Sequence, residues 1–561
     1  MGMNDRIGSM VRQAREYFRA DFRFDLIAGV VVGLIALPLA LAFAVASGAR
    51  PEQGIYTSIV AGILVGLLSG SRYQITGPTG AFVVILLSVV NAHGMDGLML
   101  AGLMAGVILL IMGLCKFGSM VKFIPYPVTV GFTSGIAVII FSGQIKDALG
   151  LRFDHRPQDF IETITMLAER IGHGVNPSAV IIAAATIVAF IIWQRQVKKF
   201  PAAPAALLVG VLVSLVLHTF FGARLPAAEL IGAIPRGLPV PHLPVFSWEL
   251  MRSVIPSAFT IAMLGAIESL LSAVVADGMT DTKHDSNREL MAQGVGNILL
   301  PFFGGIPATG AIARTAANIR NGARSRVSSV VHALVLAAIL VFAAPLAQYI
   351  PLAALAAILM MVAWNMSEIP HFVHLLHSPP QDAAVLISTF LLTVFTDLTT
   401  AVGVGVVMAA ILFIQRVSKL TMLETLEDIE GTESDTLKKI RESLVGYPEI
   451  AIYKLAGPLF FGVAAEFENR IQHHKSEVLI MRMKYVTHMD ATGIHALEMI
   501  IDQVHRHGGQ IYLTRLNPRL HRKLQKLGII DRIGGEQYVS ASSPEAIEMA
   551  KRELDLRRAV V

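Results

Sequence analysis

The chain has 561 residues, 54% hydrophobic and only 16% charged, with a formal charge of +5 at pH 7. Soluble globular chains carry about 25% charged residues, so charges this sparse cannot cover a water-facing surface of this length, and a bilayer must cover the rest. Cys115 is the only cysteine, which excludes an intrachain disulfide and a cysteine-rich metal centre; the small basic excess reads as Lys and Arg in cytoplasmic loops, not as a nucleic-acid surface.

Residues 1–24 are charged and amphipathic and lack the apolar core of a cleavable leader, so they predict a basic helix along the inner membrane surface. Apolar stretches near the roughly 20 residues needed to cross lipid then recur from Asp25 to Arg416. They fall near 26–46, 54–70, 76–92, 97–115, 126–145, 178–194, 202–221, 252–276, 288–303, 307–320, 326–346, 351–365, 381–398 and 400–416, fourteen elements, several short and interrupted by Gly or Pro. With the N-terminus inside, the cytoplasmic gaps hold Arg72; Lys116 and Lys122; Arg195, Lys198 and Lys199; Lys283 and Arg288; and Arg320, Arg324 and Arg326. This bias obeys the positive-inside rule and leaves both termini in the cytoplasm. Lys146, Asp147 and Asp397 fall near span ends, where long charged side chains reach the interface.

Past Arg416 the chain turns polar. LETLEDIEGTESDTLKKIRESL predicts a linker helix, and from Tyr447 the pattern alternates as in a soluble α/β domain. EIAIYKLAGPLFFG predicts a strand pair, EVLIMRMKYV a buried strand, GIHALEMIIDQVHRHG a helix and QIYLTRL a further strand. The organisation expected is 1–24 amphipathic N-terminus, 25–420 transmembrane domain, 421–446 linker and 447–555 cytoplasmic domain.

The membrane part contains a weak self-match. TGPTGAF begins at Thr76 and IPATGAI at Ile306, each downstream of a Gly-led apolar segment from Gly33 or Gly265. An odd number of spans separates the copies, so the second lies inverted. Inverted repeats with Gly/Pro-interrupted helices at matching places point to a transporter's midplane site. There a half-helix begins at membrane depth with free N–H groups and a positive dipole end, and two such ends facing each other cradle an anion. The mouths predicted are Thr79 and Gly80 on one side and Thr309, Gly310 and Ala311 on the other. Two ionisable residues sit in these elements, Glu268 in LGAIESLLS and Arg314 in ATGAIARTAAN. Charge at membrane depth costs on the order of 3 kcal/mol and is usually functional. The pair reads as Arg314 attracting an anion and Glu268 balancing it or taking a proton.

The segments GLIALPLALAFAVASGA, ITGPTGAF, MLGAIESLLSAVVADGMTDTKHDSNRELMAQGVGN and FFGGIPATGAIARTAANIRNGARS resemble the SulP family of anion transporters, over about residues 25–555. The wording of LMMVAWNMSEIP and GPLFFGVAAEFEN resembles the bacterial C4-dicarboxylic acid transporters of that family. The resemblance implies an all-α polytopic domain of fourteen segments in a seven-plus-seven inverted repeat, with core and gate domains, followed by a small α/β STAS domain. It places an anion site at Phe43, Thr79, Gly80, Ala311, Ile312, Ala313 and Arg314, and a proton-coupling acid at Glu268. Sodium-coupled bicarbonate relatives carry Asp at the latter position with hydroxyls nearby, where this chain has Glu268 and Ser272. They place Thr where this chain has Ile312, a departure that counts against sodium and bicarbonate. HMDATGIHALE resembles the STAS loop, so Thr492 is the candidate phosphoacceptor, and Asp490 and Thr492 are otherwise helix caps.

The reading is a secondary active anion transporter in the inner membrane of a bacterium, proton-coupled and taking C4-dicarboxylates such as succinate, fumarate or aspartate. Its implied partners are a small anion, protons, lipid, a second copy of itself and a cytoplasmic partner of the STAS domain; no cofactor, metal or nucleic acid is called for. The alternatives are a sulfate, bicarbonate or chloride transporter, an uncoupled anion channel, and a membrane-anchored sensor. An enzyme is disfavoured: GPTG and GGIPATG lack the Lys-Ser/Thr of a phosphate-binding loop, and no Ser-His-Asp pattern is present.

Overall fold

A computed structural model of the chain describes residues 17, 20–119, 125–155, 157, 159–172, 174–197, 200–222, 224–396, 398–419, 422–425, 442–457, 459 and 477–560. The helix predicted over 1–24 lies almost wholly outside these residues, as does Asp397. Two compact units divide near residue 407.

The first unit is helical. In chain order it runs α1 (Phe22–Ala46), α2 (Pro51–Leu68), β1 (Thr76–Gly77), α3 (Gly80–Leu114), α4 (Tyr126–Ala148), α5 (Phe160–Ile171), α6 (Pro177–Gln196), α7 (Ala202–Phe221), α8 (Trp248–Thr280), α9 (Ser286–Leu299), β2 (Thr309–Gly310), α10 (Ile312–Arg320), α11 (Val327–Ala347), α12 (Leu352–Met366), α13 (Ile369–Leu376), α14 (Pro380–Phe395) and α15 (Leu398–Lys419). The predicted elements recur with small shifts at their ends. Two of them, near 76–92 and 97–115, form the single run α3, which leaves helical geometry at Gly94, where φ is +69°; only glycine takes that conformation without strain. Among the described residues nine helical runs are long and apolar enough to cross a membrane. The shortfall from fourteen comes from this merger, from the short α9, α10 and α14, and from α15, of which the stretch Thr400–Arg416 counts as a shorter apolar helix. The helices α5 and α13 carry mixed patterns and were not among the predicted spans.

Packing sorts the helices into two groups: α1, α2, α3, α8, α9, α10 and α11 form one, and α4, α6, α7, α12, α13 and α14 the other. Close approach within the first group depends on small residues. Where α3 crosses α9, a Cβ at Gly106 would lie 2.6 Å from the Ile298 nitrogen, and one at Gly294 2.8 Å from the Gly106 oxygen. Two buried carboxylates tie loops to helices. Asp25 accepts from the backbone N–H of Arg324 at 2.6 Å and of Ser325 at 3.0 Å, joining α1 to the entry of α11. Glu289 accepts from Gly70 N at 3.0 Å and from the Ser69 hydroxyl, joining α9 to the end of α2. Each is satisfied by hydrogen bonds from its neighbours, as a buried charge must be.

The second unit holds β3 (Met422–Thr425), β4 (Ile450–Ala456), β5 (Val478–Tyr485), α16 (Ala491–Arg506), β6 (Gln510–Thr514), α17 (Pro518–Lys526), α18 (Ile529–Arg532), β7 (Val539–Ser540) and α19 (Ser543–Val560). The sheet order is β3-β4-β5-β6-β7, antiparallel between β3 and β4 and parallel thereafter. The linker prediction therefore needs correction: Met422–Thr425 is an edge strand of this sheet rather than helix. Its Met-Leu-Glu-Thr sequence alternates, and pairing with β4 makes it a strand; residues 426–441 of the predicted linker helix lie outside the described residues. Of the strand pair predicted over 449–462, the first strand is β4, which pairs with β3 and β5; of the second, Leu459 bridges to Met489, and 458 and 460–462 lie outside the described residues. One sheet face packs Tyr453, Met481, Leu513, Leu497 and Ile500; the other packs Ile452, Ile480 and Tyr512 against Ala546, Ile547 and Ala550 of α19.

Candidate functional site

Two short extended segments meet in the middle of the helical unit. β1 and β2 pair antiparallel, with Thr76 opposite Gly310 and Gly77 opposite Thr309, as an inverted repeat requires. Each segment then opens a helix. Thr79 stands before α3 with φ −128° and ψ 160°, and Ala311 before α10 with φ −95° and ψ 104°. The first N–H groups of α3 and α10 have no intrahelical acceptor, so both positive ends open at membrane depth.

The register differs from the sequence alignment of the repeat. Thr309-Gly310 pairs with Thr76-Gly77, not with Thr79-Gly80. Thr309 and Gly310 are accordingly not at a mouth. The Thr309 hydroxyl lies 2.7 Å from Ser269 Oγ, and Gly310 N donates to the same oxygen at 3.0 Å. The second mouth is built by Ala311, Ile312, Ala313 and Arg314, with Ala313 exposed and Ile312 half-buried.

A polar frame fixes these loops. Ala311 N donates to the Ile75 carbonyl at 2.8 Å. Ile75 N donates to Thr315 Oγ1 at 3.0 Å, Ser272 to Gln74 Oε1 at 3.0 Å, and Gln74 Nε2 to the Ser269 carbonyl at 3.0 Å. Asn297 of α9 brackets Ala308, donating to its oxygen and accepting from its nitrogen at 2.9 Å each. Ser272 thus belongs to the frame.

The two charged residues meet the same loop at adjacent positions. Thr79 Oγ1 donates to Glu268 Oε2 at 2.9 Å. Arg314, 2% exposed, donates through Nη2 to the Pro78 carbonyl, and its Nη1 is buried with no hydrogen-bond partner. The expected direct Glu268–Arg314 pair is therefore replaced by two contacts to adjacent residues, Thr79 and Pro78. Gly77 makes room: a Cβ there would lie 2.7 Å from Arg314 Nη1. Leaving a buried charged donor unpartnered costs about 1–3 kcal/mol or more, which an anion beside Arg314 would recover.

Phe43 is 4% exposed and stands at the first mouth: a Cβ on Gly80 would lie 3.4 Å from Phe43, 3.5 Å from Met366 and 3.6 Å from Ile140. Met366 and Ile140, on α12 and α4, were missed in the sequence, because they come from the other helix group and nothing in their local pattern marks them. Pro78, Gln74 and Ser269 were missed as well; only the Pro-Gly wording hinted at the first. A cavity of about 860 Å³ extends from Val83, Val84 and Ile140 to Gln144, Lys146, Asp147 and Glu229. Lys146 lies 3.7 Å from Asp147, and both line this cavity.

In the second unit Asp490 caps α16, accepting from Gly493 N at 2.8 Å, as the capping reading expected. Thr492 is exposed in the first turn. Among the described residues no group of three or more His, Cys, Asp or Glu is placed to hold a metal.

Comparison with known proteins gives this geometry its family. The profile of the sulfate permease family matches residues 22–389. The chain belongs to that family. A STAS domain profile matches residues 443–546. The putative sulfate transporter YvdB of Bacillus subtilis is 42% identical over 497 residues, 88% of this chain and 91% of that one. The bicarbonate transporter BicA of Synechocystis is 33% identical, covering 85% of each. The solved transmembrane domain of a cyanobacterial BicA superposes with TM-score 0.60 at 33% identity, over 70% of this chain and 97% of that one. The structure of SLC26A9 superposes with TM-score 0.81 over 100% of this chain and 96% of that one, at 18% identity, a likeness of fold. This sulfate permease family member is a multi-pass anion transporter with a C-terminal STAS domain, and its relatives are transporters, not enzymes.

Proposed function

We propose that the chain takes up a small oxyanion together with a proton by alternating access, binding the anion between the mouths of α3 and α10 at Phe43, Thr79, Gly80, Ala311, Ile312, Ala313 and Arg314. The observation that carries this reading is the unpartnered Arg314 Nη1, buried beside two half-helix N-termini. Glu268 is the proton carrier. It reaches the site through Thr79, and two negative charges in a low-dielectric site repel strongly. Anion and proton therefore bind with positive linkage, each tightening the other, and the loaded site is closer to neutral when it crosses the barrier. The charge bias of the loops supports an inner-membrane orientation with both termini in the cytoplasm; a homodimer, and a cytoplasmic partner of the STAS domain, are part of the same reading.

The substrate class is a small oxyanion, C4-dicarboxylate or sulfate. Dicarboxylate rests on the sequence resemblance, and the 42% identical relative carries the name of a sulfate transporter. Bicarbonate is the second reading, favoured by the 33% identical relatives and opposed by Ile312, which puts an apolar chain where a hydroxyl would be needed. Uptake of labelled succinate, sulfate and bicarbonate into proteoliposomes, each under an imposed proton or sodium gradient, separates these. Glu268→Gln, which mimics the protonated carboxyl, retains anion binding and loses accumulation driven by the proton gradient. Uphill uptake by that variant in response to the gradient would show that the coupling group is elsewhere.

A further inference from the structure

Three arginines from separate parts of the chain meet at the end of α2, and the site between α3 and α10 does not use them. α2 ends at Leu68, and the last carbonyls of a helix have no intrahelical donor. Arg288, in the first turn of α9, donates from Nε to the Leu68 carbonyl at 2.8 Å. Arg326, just before α11, donates from Nε to the Ser69 carbonyl at 3.0 Å. Arg72 follows in the same loop and is exposed, after a turn in which Ser71 N donates to Ser69 Oγ at 3.0 Å. Two guanidinium groups are thus anchored on consecutive carbonyls, with a third beside them.

One arginine suffices to cap a helix C-terminus and to meet its dipole; three bring repulsion with them. Burial, then the charges of Arg288 and Arg72, lower the basicity of Arg326, and Glu289 opposes them. The carboxylate of Glu289 is already engaged: Oε2 accepts from the Ser69 hydroxyl and from Gly70 N at 3.0 Å, and Oε1 accepts from Gln293 Nε2 at 2.9 Å. Arg326 therefore lies within electrostatic reach of both other arginines, and an anion placed among the three turns that repulsion into attraction.

We propose that Arg72, Arg288 and Arg326 bind the phosphate of an anionic phospholipid where α2 ends and α9 and α11 begin, with its acyl chains along Leu67 and Leu68. A guanidinium held by its Nε keeps the edge formed by its two Nη groups, and that edge matches two oxygens of one phosphate. The lipid source follows from the neighbours. Leu67 and Leu68 are 54% and 42% exposed, on a helix long and apolar enough to cross a membrane. Exposed leucines in the last turn, with arginines one step beyond, suit acyl chains on one side and headgroups on the other, and basic pockets between spanning helices bind anionic headgroups. α2, α9 and α11 all belong to the helix group that carries α3 and α10, so the lipid ties that group to one face of the bilayer.

The test places the full chain in phosphatidylcholine nanodiscs, replaces part of that lipid by phosphatidylglycerol, and follows hydrogen exchange over residues 69–75 and 285–290. Phosphatidylglycerol should slow exchange in both segments. Arg72→Gln spares both carbonyl caps, so the fold should be undisturbed. It should raise the phosphatidylglycerol fraction needed for half of the protection about fivefold, the worth of one basic residue near an anionic surface. Arg195→Gln, at the far end of α6 in the other helix group, controls for diffuse surface charge and should leave that fraction unchanged. Inorganic pyrophosphate added to discs of phosphatidylcholine alone should not protect. Protection by pyrophosphate would assign a soluble anion in place of a lipid. That result, no protection by phosphatidylglycerol, unchanged protection in Arg72→Gln, or an equal loss in Arg195→Gln overturns the proposal.

Discussion

Arg314 concentrates the site's electrostatics. It is a buried guanidinium with one nitrogen on the Pro78 carbonyl and another unpartnered. Arg314→Ala removes that positive charge, and hydrogen bonds to charged groups contribute about 1.5–3 kcal/mol, so anion affinity should fall on the order of tenfold or more while the protein still folds and inserts. Calorimetry on the purified variant checks this; wild-type affinity would remove Arg314 from the site. Gly77 is the quieter test. Its α-hydrogen faces the guanidinium, and a methyl there would stand 2.7 Å from Arg314 Nη1. The obstruction is the end of a flexible side chain, so Gly77→Ala should fold normally and displace the arginine. A displacement near 1 Å can cost up to about a hundredfold in turnover, and transport should drop at least tenfold with little change in melting temperature. Unchanged uptake would mean that the guanidinium does not need its position.

At the scale of elements, the site depends on two helices starting where no helix end would be tolerated without partners. β1 and β2 satisfy each other by pairing, and Asn297 locks the approach to β2 through Ala308. Asn297→Ala should leave both Ala308 groups unpaired in a buried place, at a cost of about 1–3 kcal/mol each, and lower the thermal midpoint along with transport. The α3–α9 crossing is a purely structural control. Backbone atoms face Gly106, so Gly106→Val cannot be relieved by a side-chain rotation and should destabilise by about 1–3 kcal/mol. Denaturation of the purified variant measures it, and a fully stable variant would contradict the packing described.

At the scale of the molecule, the two units invite separation. A chain ending after Thr421 keeps both half-helices and should still bind the anion; a monodisperse truncation without binding would show that the tail helps to form the site. The second unit should be cut before Met422. A fragment from residue 447 lacks β3 and leaves β4 as an open edge, so it should melt lower and aggregate more readily than 422–561. The sequence by itself determined the membrane class, the run of apolar elements and the alternating tail, because hydrophobic length and period are local properties that no neighbour can change. It also marked Glu268 and Arg314, since an ionisable residue inside an apolar stretch stands out without any structure. The tertiary structure alone decided what those residues touch. The repeat's register slid by three residues because strand pairing, not the shared Thr-Gly letters, sets which backbones meet. Met366 and Ile140 reached the mouth only because a second helix group packs there, and Met422–Thr425 became a strand only because β4 offered an edge. Each of these depends on partners distant in the chain, and a local pattern carries no record of them.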